Sequence, residues 1–238
     1  DVPMSGIITA KHDDFHYLVK RYDRYEGYAY GQFDMAQLLT LPSDKKYEPT
    51  VKEVLLTFKE KVSTQKSKED MLVFHIYSLL IKHTDLHAKN IGVLEVGKAK
   101  FIATPLYDVI SVGVYEKNVN DIALALEKTH RKRAKYDLND MLRLSKFLDI
   151  PIKKAKELIK KTIETYLDRF PEYIERTKVF EEEYPLLMQK SRMDKRRFSD
   201  RLQSLYDEKL IELKKQGVLQ DLGNIDKYGG SLSREKRS

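Results

Sequence analysis

The chain has 238 residues, 41% of them hydrophobic and 34% charged; it is too apolar for a disordered segment and long enough for one large domain with a buried core. Lys+Arg 44 against Asp+Glu 37 leaves a formal net charge of +7, which favours phosphate-bearing partners without demanding them. The absence of cysteine excludes disulfides, thiolate catalysis and cysteine-held zinc or iron–sulfur centres, and makes a reducing cytoplasm the expected setting.

No apolar run approaches the length of a membrane span, and the first residues lack the basic and apolar regions of a signal peptide. The sequence opens Asp1-Val2-Pro3, with its first methionine at position 4, so it is expected to begin inside a longer gene product.

In chain order, Gly6 to Ala10 and Phe15 to Tyr22 read as a hairpin, being rich in β-branched and aromatic residues around a polar turn. A short helix is expected from Asp34 to about Leu41, then a proline-bounded loop over Lys45 to Pro49. Thr50 caps a helix running to about Lys61. Ser67, with Asp70 three residues on, marks the start of another. Its apolar residues from Met71 to Ile81 occupy most of the circumference, so this helix should be central. After the polar stretch from His83 to Asn90, Ile91 to Val96 and Lys100 to Thr104 read as two strands around Gly97. Helical patterns follow over Asp121 to Leu126, Leu138 to Phe147, Pro151 to Phe170, 172 to 183 and 199 to 215, and a frayed end is expected from Gly223. The order predicts an α+β fold, mostly helical.

The chemistry concentrates in His83-Thr-Asp-Leu-His-Ala-Lys-Asn90, which fits the kinase catalytic loop H-x-D-x-x-x-x-N. A carboxylate at Asp85 can orient an acceptor hydroxyl and take its proton, while an amide oxygen at Asn90 can ligate Mg²⁺ held on nucleotide phosphates. A second acidic metal ligand is needed, and Asp108 follows the hairpin that returns the chain to the loop. Because the paired strands end beside one another, Asp85, Asn90 and Asp108 are expected around one metal-sized space.

This loop, followed by Thr104-Pro-Leu-Tyr-Asp-Val-Ile-Ser111, resembles the C-terminal kinase lobe of the HipA family, serine/threonine kinase toxins of bacterial toxin–antitoxin modules. Leu18 to Arg24 resembles the family's hinge strand, Asp34 to Gln37 and Lys46 to Glu48 the following helix and loop, and Leu232 to Glu235 its C-terminal end. The resemblance implies a protein-kinase-like C-terminal lobe with hinge strands and a β-hairpin beside the catalytic loop. Residues 1–24 would be a hinge and strand segment continuing an N-lobe that this sequence lacks. Residues 25–238 would be the helical C-lobe, with catalytic loop 83–90 and metal-binding segment 105–111.

By the same resemblance, ATP and Mg²⁺ are the cofactors, Asp85 is catalytic, and Asn90 and Asp108 hold the metal. The hinge backbone near Lys20 and Tyr22 would hold adenine, while Asp23, His87 and Tyr107 line the nucleotide site. The implied partners are a protein substrate such as an aminoacyl-tRNA synthetase and a DNA-binding antitoxin; nucleic acid is reached only through the antitoxin, and no membrane is involved.

The chain departs from a complete kinase pattern in several places. It has no G-x-G-x-x-G and no V-A-I-K-like lysine near its start, Val109 and Ile110 replace the Phe-Gly of Asp-Phe-Gly, and Lys20 stands at the hinge glutamate position. The missing lobe is therefore expected either in cis or on a second polypeptide, as in split, HipT-type members. Two alternatives come from other classes: a catalytically inactive kinase-like module that binds an antitoxin or nucleic acid, and a metal-dependent hydrolase built from His83, Asp85 and His87. Taken by themselves, Tyr22 and Tyr107 read as packing aromatics rather than chemical players, any ligand contact being made through stacking or backbone. The basic clusters Arg131 to Lys135 and Arg192 to Arg197 read as solvated faces or docking sites.

Overall fold

The computed structural model describes residues 1–9, 15–115, 122–128, 136–184 and 196–227. The first hairpin forms as expected: β1 (Ser5–Thr9) and β2 (Phe15–Val19) pair antiparallel. A second, minimal ladder, β3 (Arg24–Tyr25) with β4 (Tyr28–Ala29), turns through Glu26 and Gly27 at positive φ.

Next comes a strand that periodicity does not reveal, β5 (Gly31–Asp34). It pairs antiparallel with β6 (Gly92–Gly97), itself the hairpin partner of β7 (Lys100–Ala103). The expected second hairpin is thus two-thirds of a three-stranded sheet, β5-β6-β7. Four residues with two polar members carry too little alternation to announce a strand; a partner about sixty residues away makes it one.

Asp34 ends β5 and caps the short helix α1 (Met35–Leu38) in a reciprocal capping box with Gln37. Helix α2 (Val51–Lys61) starts where Thr50 predicted, Thr50 and Glu53 capping each other. Its first two backbone N–H groups, Val51 and Lys52, donate to the Ala125 and Leu126 carbonyls at 2.8 and 3.1 Å. That explains why the described part of the expected helix over Asp121 to Leu126 is not helical: its carbonyls are spent on the orphan donors of α2.

Helix α3 (Gln65–Leu80) begins two residues earlier than expected. Thr64 is the cap, its hydroxyl accepting from the Ser67 N–H. Ser67 is buried and accepts from the Ala103 N–H, while Ser63 accepts from the Phe101 N–H, so the two hydroxyls close the free edge of β7. As its sequence required, α3 is central: Met71, Leu72, Phe74, Ile76 and Leu80 are all buried. They meet α4 (Leu138–Phe147) through Leu138, Met141 and Leu144, and α5 (Ile152–Glu183) through Ala155, Ile159 and Ile163.

The two helical patterns expected to be separate, to Phe170 and from 172, are the single helix α5, which runs through Pro171. Proline cannot donate to the Leu167 carbonyl four residues back. The Tyr206 hydroxyl of α6 (Phe198–Lys215) donates there instead at 3.0 Å, and its ring stacks on Phe170. A short α7 (Val218–Leu222) and one 3-10 turn at Ile225–Lys227 end the described chain. Arg131 to Lys135, Arg192 to Lys195 and Leu232 to Glu235 lie outside the described residues.

Candidate active site

The site is built by three chain segments meeting at the end of the β5-β6-β7 sheet. The loop 83–90 leaves α3 and ends in a 3-10 turn, Ala88–Asn90, that feeds directly into β6. The return strand β7 delivers Pro105 to Ser111 alongside it. Residues 43–48, between α1 and α2, close the third side: Ala88 N–H donates to the Lys46 carbonyl at 3.2 Å and Lys89 Nζ to Ser43 Oγ at 3.0 Å.

The juxtaposition expected from the hairpin is present at Asn90 and Asp108. Asn90 Nδ2 donates to Asp108 Oδ2 at 2.7 Å, and Asn90 Oδ1 accepts from the His87 N–H at 3.1 Å. Asp108 has φ 53°, in the left-handed region that only glycine, asparagine and aspartate adopt readily. Such a conformation persists where its surroundings over-determine it. Here the Asn90 amide, bonded to the Asp108 carboxylate, and the Tyr107 hydroxyl, which donates to the Lys89 carbonyl at 2.8 Å, tie the turn to the 83–90 loop.

Asp85 is half exposed. Its Oδ1 accepts from the Tyr47 hydroxyl at 2.8 Å, and its Oδ2 lies 4.0 Å from His87 Nε2. Tyr47 also meets the His87 ring edge-on at 5.1 Å and is crossed by the Lys46 ammonium at 4.8 Å. Burial and then the Lys46 charge lower the His87 pKa below its ordinary value, so at neutral pH the ring is uncharged beside Asp85. Tyr47 bonds the carboxylate that residue spacing singled out, yet periodicity and motif spacing passed over it as part of a loop. The only signal was an aromatic inside a proline-flanked segment.

On the hinge side, Tyr22 and Tyr107 stack with ring centroids 6.0 Å apart and planes 21° from parallel. Burial raises the pKa of both hydroxyls. Gly92 permits this arrangement: a Cβ there would stand 3.1 Å from the Tyr107 hydroxyl and 3.3 Å from the Phe33 carbonyl. Asp23 is buried, and its carboxylate is gripped by Arg21, at 2.9 Å from Nε and 2.6 Å from Nη2, with Arg24 at 3.3 Å. The Lys20 N–H donates to the Met4 carbonyl at 2.8 Å and its side chain is exposed. Tyr22, Tyr107 and His87 are therefore tied to the loop region by ring or backbone contacts, whereas Asp23 is engaged by its arginine neighbours and Lys20 extends the hairpin.

Asn90 and Asp108 carry the oxygen donors a hard cation takes, Asp108 exposed and Asn90 buried; here Asn90 turns its amide nitrogen to Asp108 and its oxygen to the His87 N–H. Among the described residues no three His, Asp or Glu side chains converge to hold a metal by themselves, so a Mg²⁺ there would draw the rest of its shell from phosphate oxygens and water. The same fact removes the hydrolase reading. His83 is 3% exposed, packs beside Phe74, and completes no metal set with Asp85 and His87.

Residues 1–170 match the family model of the HipA-like C-terminal domain. The chain belongs to this family. Its fold is that of HipA from the toxin–antitoxin complex of Shewanella oneidensis MR-1 with HipB and operator DNA, matched with a TM-score of 0.66 at 17% identity over 93% of this chain and 54% of that one. It is also similar to the Helicobacter pylori proinflammatory kinase CtkA, with a TM-score of 0.55 at 12% identity over 93% of this chain and 81% of that one. The HipA-like chain spans about half the length of the Shewanella protein, and its α+β, mostly helical fold is kinase-like. Among the described residues no helix is long and apolar enough to cross a membrane.

Proposed function

We propose that this HipA-like chain is the catalytic lobe of an ATP- and Mg²⁺-dependent serine/threonine protein kinase. The observation that carries the reading is that the Tyr47–Asp85 bond and the Asn90–Asp108 bond, made by residues 38 and 18 positions apart in sequence, both adjoin His87, whose Nε2 lies 4.0 Å from Asp85 and whose N–H donates to Asn90. Asp85, oriented through one oxygen by Tyr47, would present the other to a serine or threonine hydroxyl. That hydroxyl oxygen attacks the γ-phosphorus of ATP, its proton passes to Asp85, and the bond from the γ-phosphorus to the bridging oxygen of ADP breaks. Asn90 and Asp108 would hold Mg²⁺, which when bound neutralises phosphate charge. Tyr22, Tyr107 and His87 would line the nucleotide, with the backbone near Lys20 and Asp23 at the hinge.

The phosphate-gripping loop would come from strands outside residues 1–238, on the same or another polypeptide. The β1–β2 hairpin supports this: Ile7, Ile8, Tyr17, Leu18 and Val19 are exposed on its two faces, and an isolated hairpin of this kind is marginal in water. The partner reading follows the Shewanella assembly. An antitoxin would bind the chain and carry any contact with DNA, and the substrate would be a translation component such as an aminoacyl-tRNA synthetase, in the cytoplasm.

The test is incubation of the complete gene product with labelled ATP, Mg²⁺ and bacterial lysate, beside Asp85→Ala and Asp108→Ala. Labelled protein should appear only with the unaltered chain. Equal labelling in all three would overturn the assignment, and none in any would favour an inactive module that binds an antitoxin.

A further inference from the structure

Directly behind the catalytic loop is a small, mostly apolar cavity with a few polar groups in its wall, which the phosphotransfer scheme does not use. His75, Ser78, His83, Leu86, Leu124 and Tyr136 are among its lining residues, and its volume is about 30 Å³. Ser78 and His83 are each 3% exposed, and Ser78 Oγ and both ring nitrogens of His83 have no hydrogen-bond partner of good geometry, although the Ile110 backbone stands close enough to act on the His83 ring. Buried polar atoms without partners are few in native proteins, and three on two neighbouring side chains require an explanation.

The end of α3 explains why these two side chains face each other. The His83 N–H donates to the Ser78 carbonyl at 2.8 Å and the Lys82 N–H to the Leu79 carbonyl at 3.4 Å, with Lys82 at φ 50°. This is the Schellman arrangement, in which the second residue beyond the helix folds back over the residue three before its end. Those two positions ordinarily make an apolar contact. Here they are a histidine and a serine, and they flank a void instead of closing it.

A water molecule needs about 10–15 Å³ and two to four polar partners. The cavity offers about 30 Å³, with Ser78 Oγ and a His83 ring nitrogen as partners. The third lining polar group, His75, spends Nδ1 on the Met71 carbonyl at 3.1 Å.

We infer that this cavity holds one or two buried waters bridging Ser78 to the His83 ring, and that these waters fix the entry to the catalytic loop. His83 and Ser78 are then positioning residues for Asp85, two residues further on. Hydration of the cavity is independent of the kinase reading; its consequence for phosphotransfer rests on that reading.

The experiment uses the complete gene product labelled with ¹⁵N and ¹³C histidine. Cross-peaks from a long-lived water to the His83 ring protons are expected in the unaltered protein. They should weaken in Ser78→Ala, which keeps the space but removes one of the water's two partners, and be lost in Ser78→Val, whose methyl groups also fill the space. In the labelled-ATP assay, Ser78→Val should lower kcat about 10-fold with KM for ATP unchanged, the pattern of a misplaced catalytic group. Ser78→Ala should lose less than about 3-fold. Absence of the water cross-peaks in the unaltered, folded protein overturns the hydration site whether or not the protein transfers phosphate. A Ser78→Val protein that lacks the water and keeps its kcat overturns the positioning role. An unaltered protein that shows the water and transfers no phosphate sinks the kinase reading alone.

Discussion

The catalytic loop and the β1–β2 hairpin both serve the proposed nucleotide site, yet they are held in place in opposite ways. The loop is anchored at nearly every residue: His83 to Ser78, Asp85 to Tyr47, Ala88 to Lys46, Asn90 to Asp108, and the Lys89 carbonyl to Tyr107. It stands on α3, where Leu72 and Ile76 are fully buried. The hairpin has its own ladder and little else; Tyr17 is 70% and Ile7 62% exposed. The catalytic half of the site is thus preorganised within this chain, whereas the half that would cover the nucleotide lacks the apolar cover that rigidity requires.

The sharpest way to break this contrast is at the loop. Asp85→Asn should lower phosphotransfer by roughly 10²–10⁴-fold while leaving nucleotide affinity within a few-fold, because the acceptor loses its base and the metal ligands remain. Single-turnover assays beside nucleotide titration would measure both. Comparable losses in rate and affinity would mean that Asp85 holds the nucleotide.

Stability measurements probe the same contrast from below. Leu72→Ala in α3 should cost about 2–5 kcal/mol, since it empties a fully packed position. Ile7→Ala on the hairpin should stay within about 0.5 kcal/mol in this chain alone, by denaturant unfolding. The same hairpin variant in the complete gene product should cost more, because the side chain would there be covered.

The base of the loop also carries a pH signature. Burial lowers His75 from its ordinary 6.5 to about 4, so the folded state binds fewer protons than the unfolded state between those values. Stability is then highest above about pH 6.5 and falls as the pH drops toward 4, by up to about 3 kcal/mol from this group. His75→Gln should flatten that part of a melting-temperature profile. An unchanged slope would assign the acid sensitivity elsewhere.

Of the effects on rate, a smaller one than that of Asp85→Asn is expected for Tyr47→Phe. Removing one hydrogen bond to Asp85 should slow phosphotransfer about 5-fold, equivalent to about 1 kcal/mol, with melting temperature nearly unchanged. A wild-type rate in this variant would show that Asp85 needs no orienting partner.

Much of this molecule was legible in the residues. Local chemistry sets where α2 starts, through the reciprocal cap of Thr50 and Glu53. It also determines α4, capped by Asp137, and the buried circumference of α3. The meeting of Asn90 with Asp108 was legible too, because a short hairpin must return its ends together. Where local patterns misled, a distant group had taken over a backbone requirement. Pro171 stays inside α5 because Tyr206 supplies the missing donor. Residues 122–126 stay non-helical where Ala125 and Leu126 cap α2, and Gly31–Asp34 is a strand because β6 is beside it.

By itself, then, the sequence specified the helices, the first hairpin and the motif with its Asp85, Asn90 and Asp108, since caps, periodicity and tight turns depend on residues a few positions apart. Only the tertiary structure decided the roles of Tyr47, Tyr206 and Ser67, and which histidine faces the core. Hydrogen bonds and cavities between segments distant along the chain leave no period for a sequence to display.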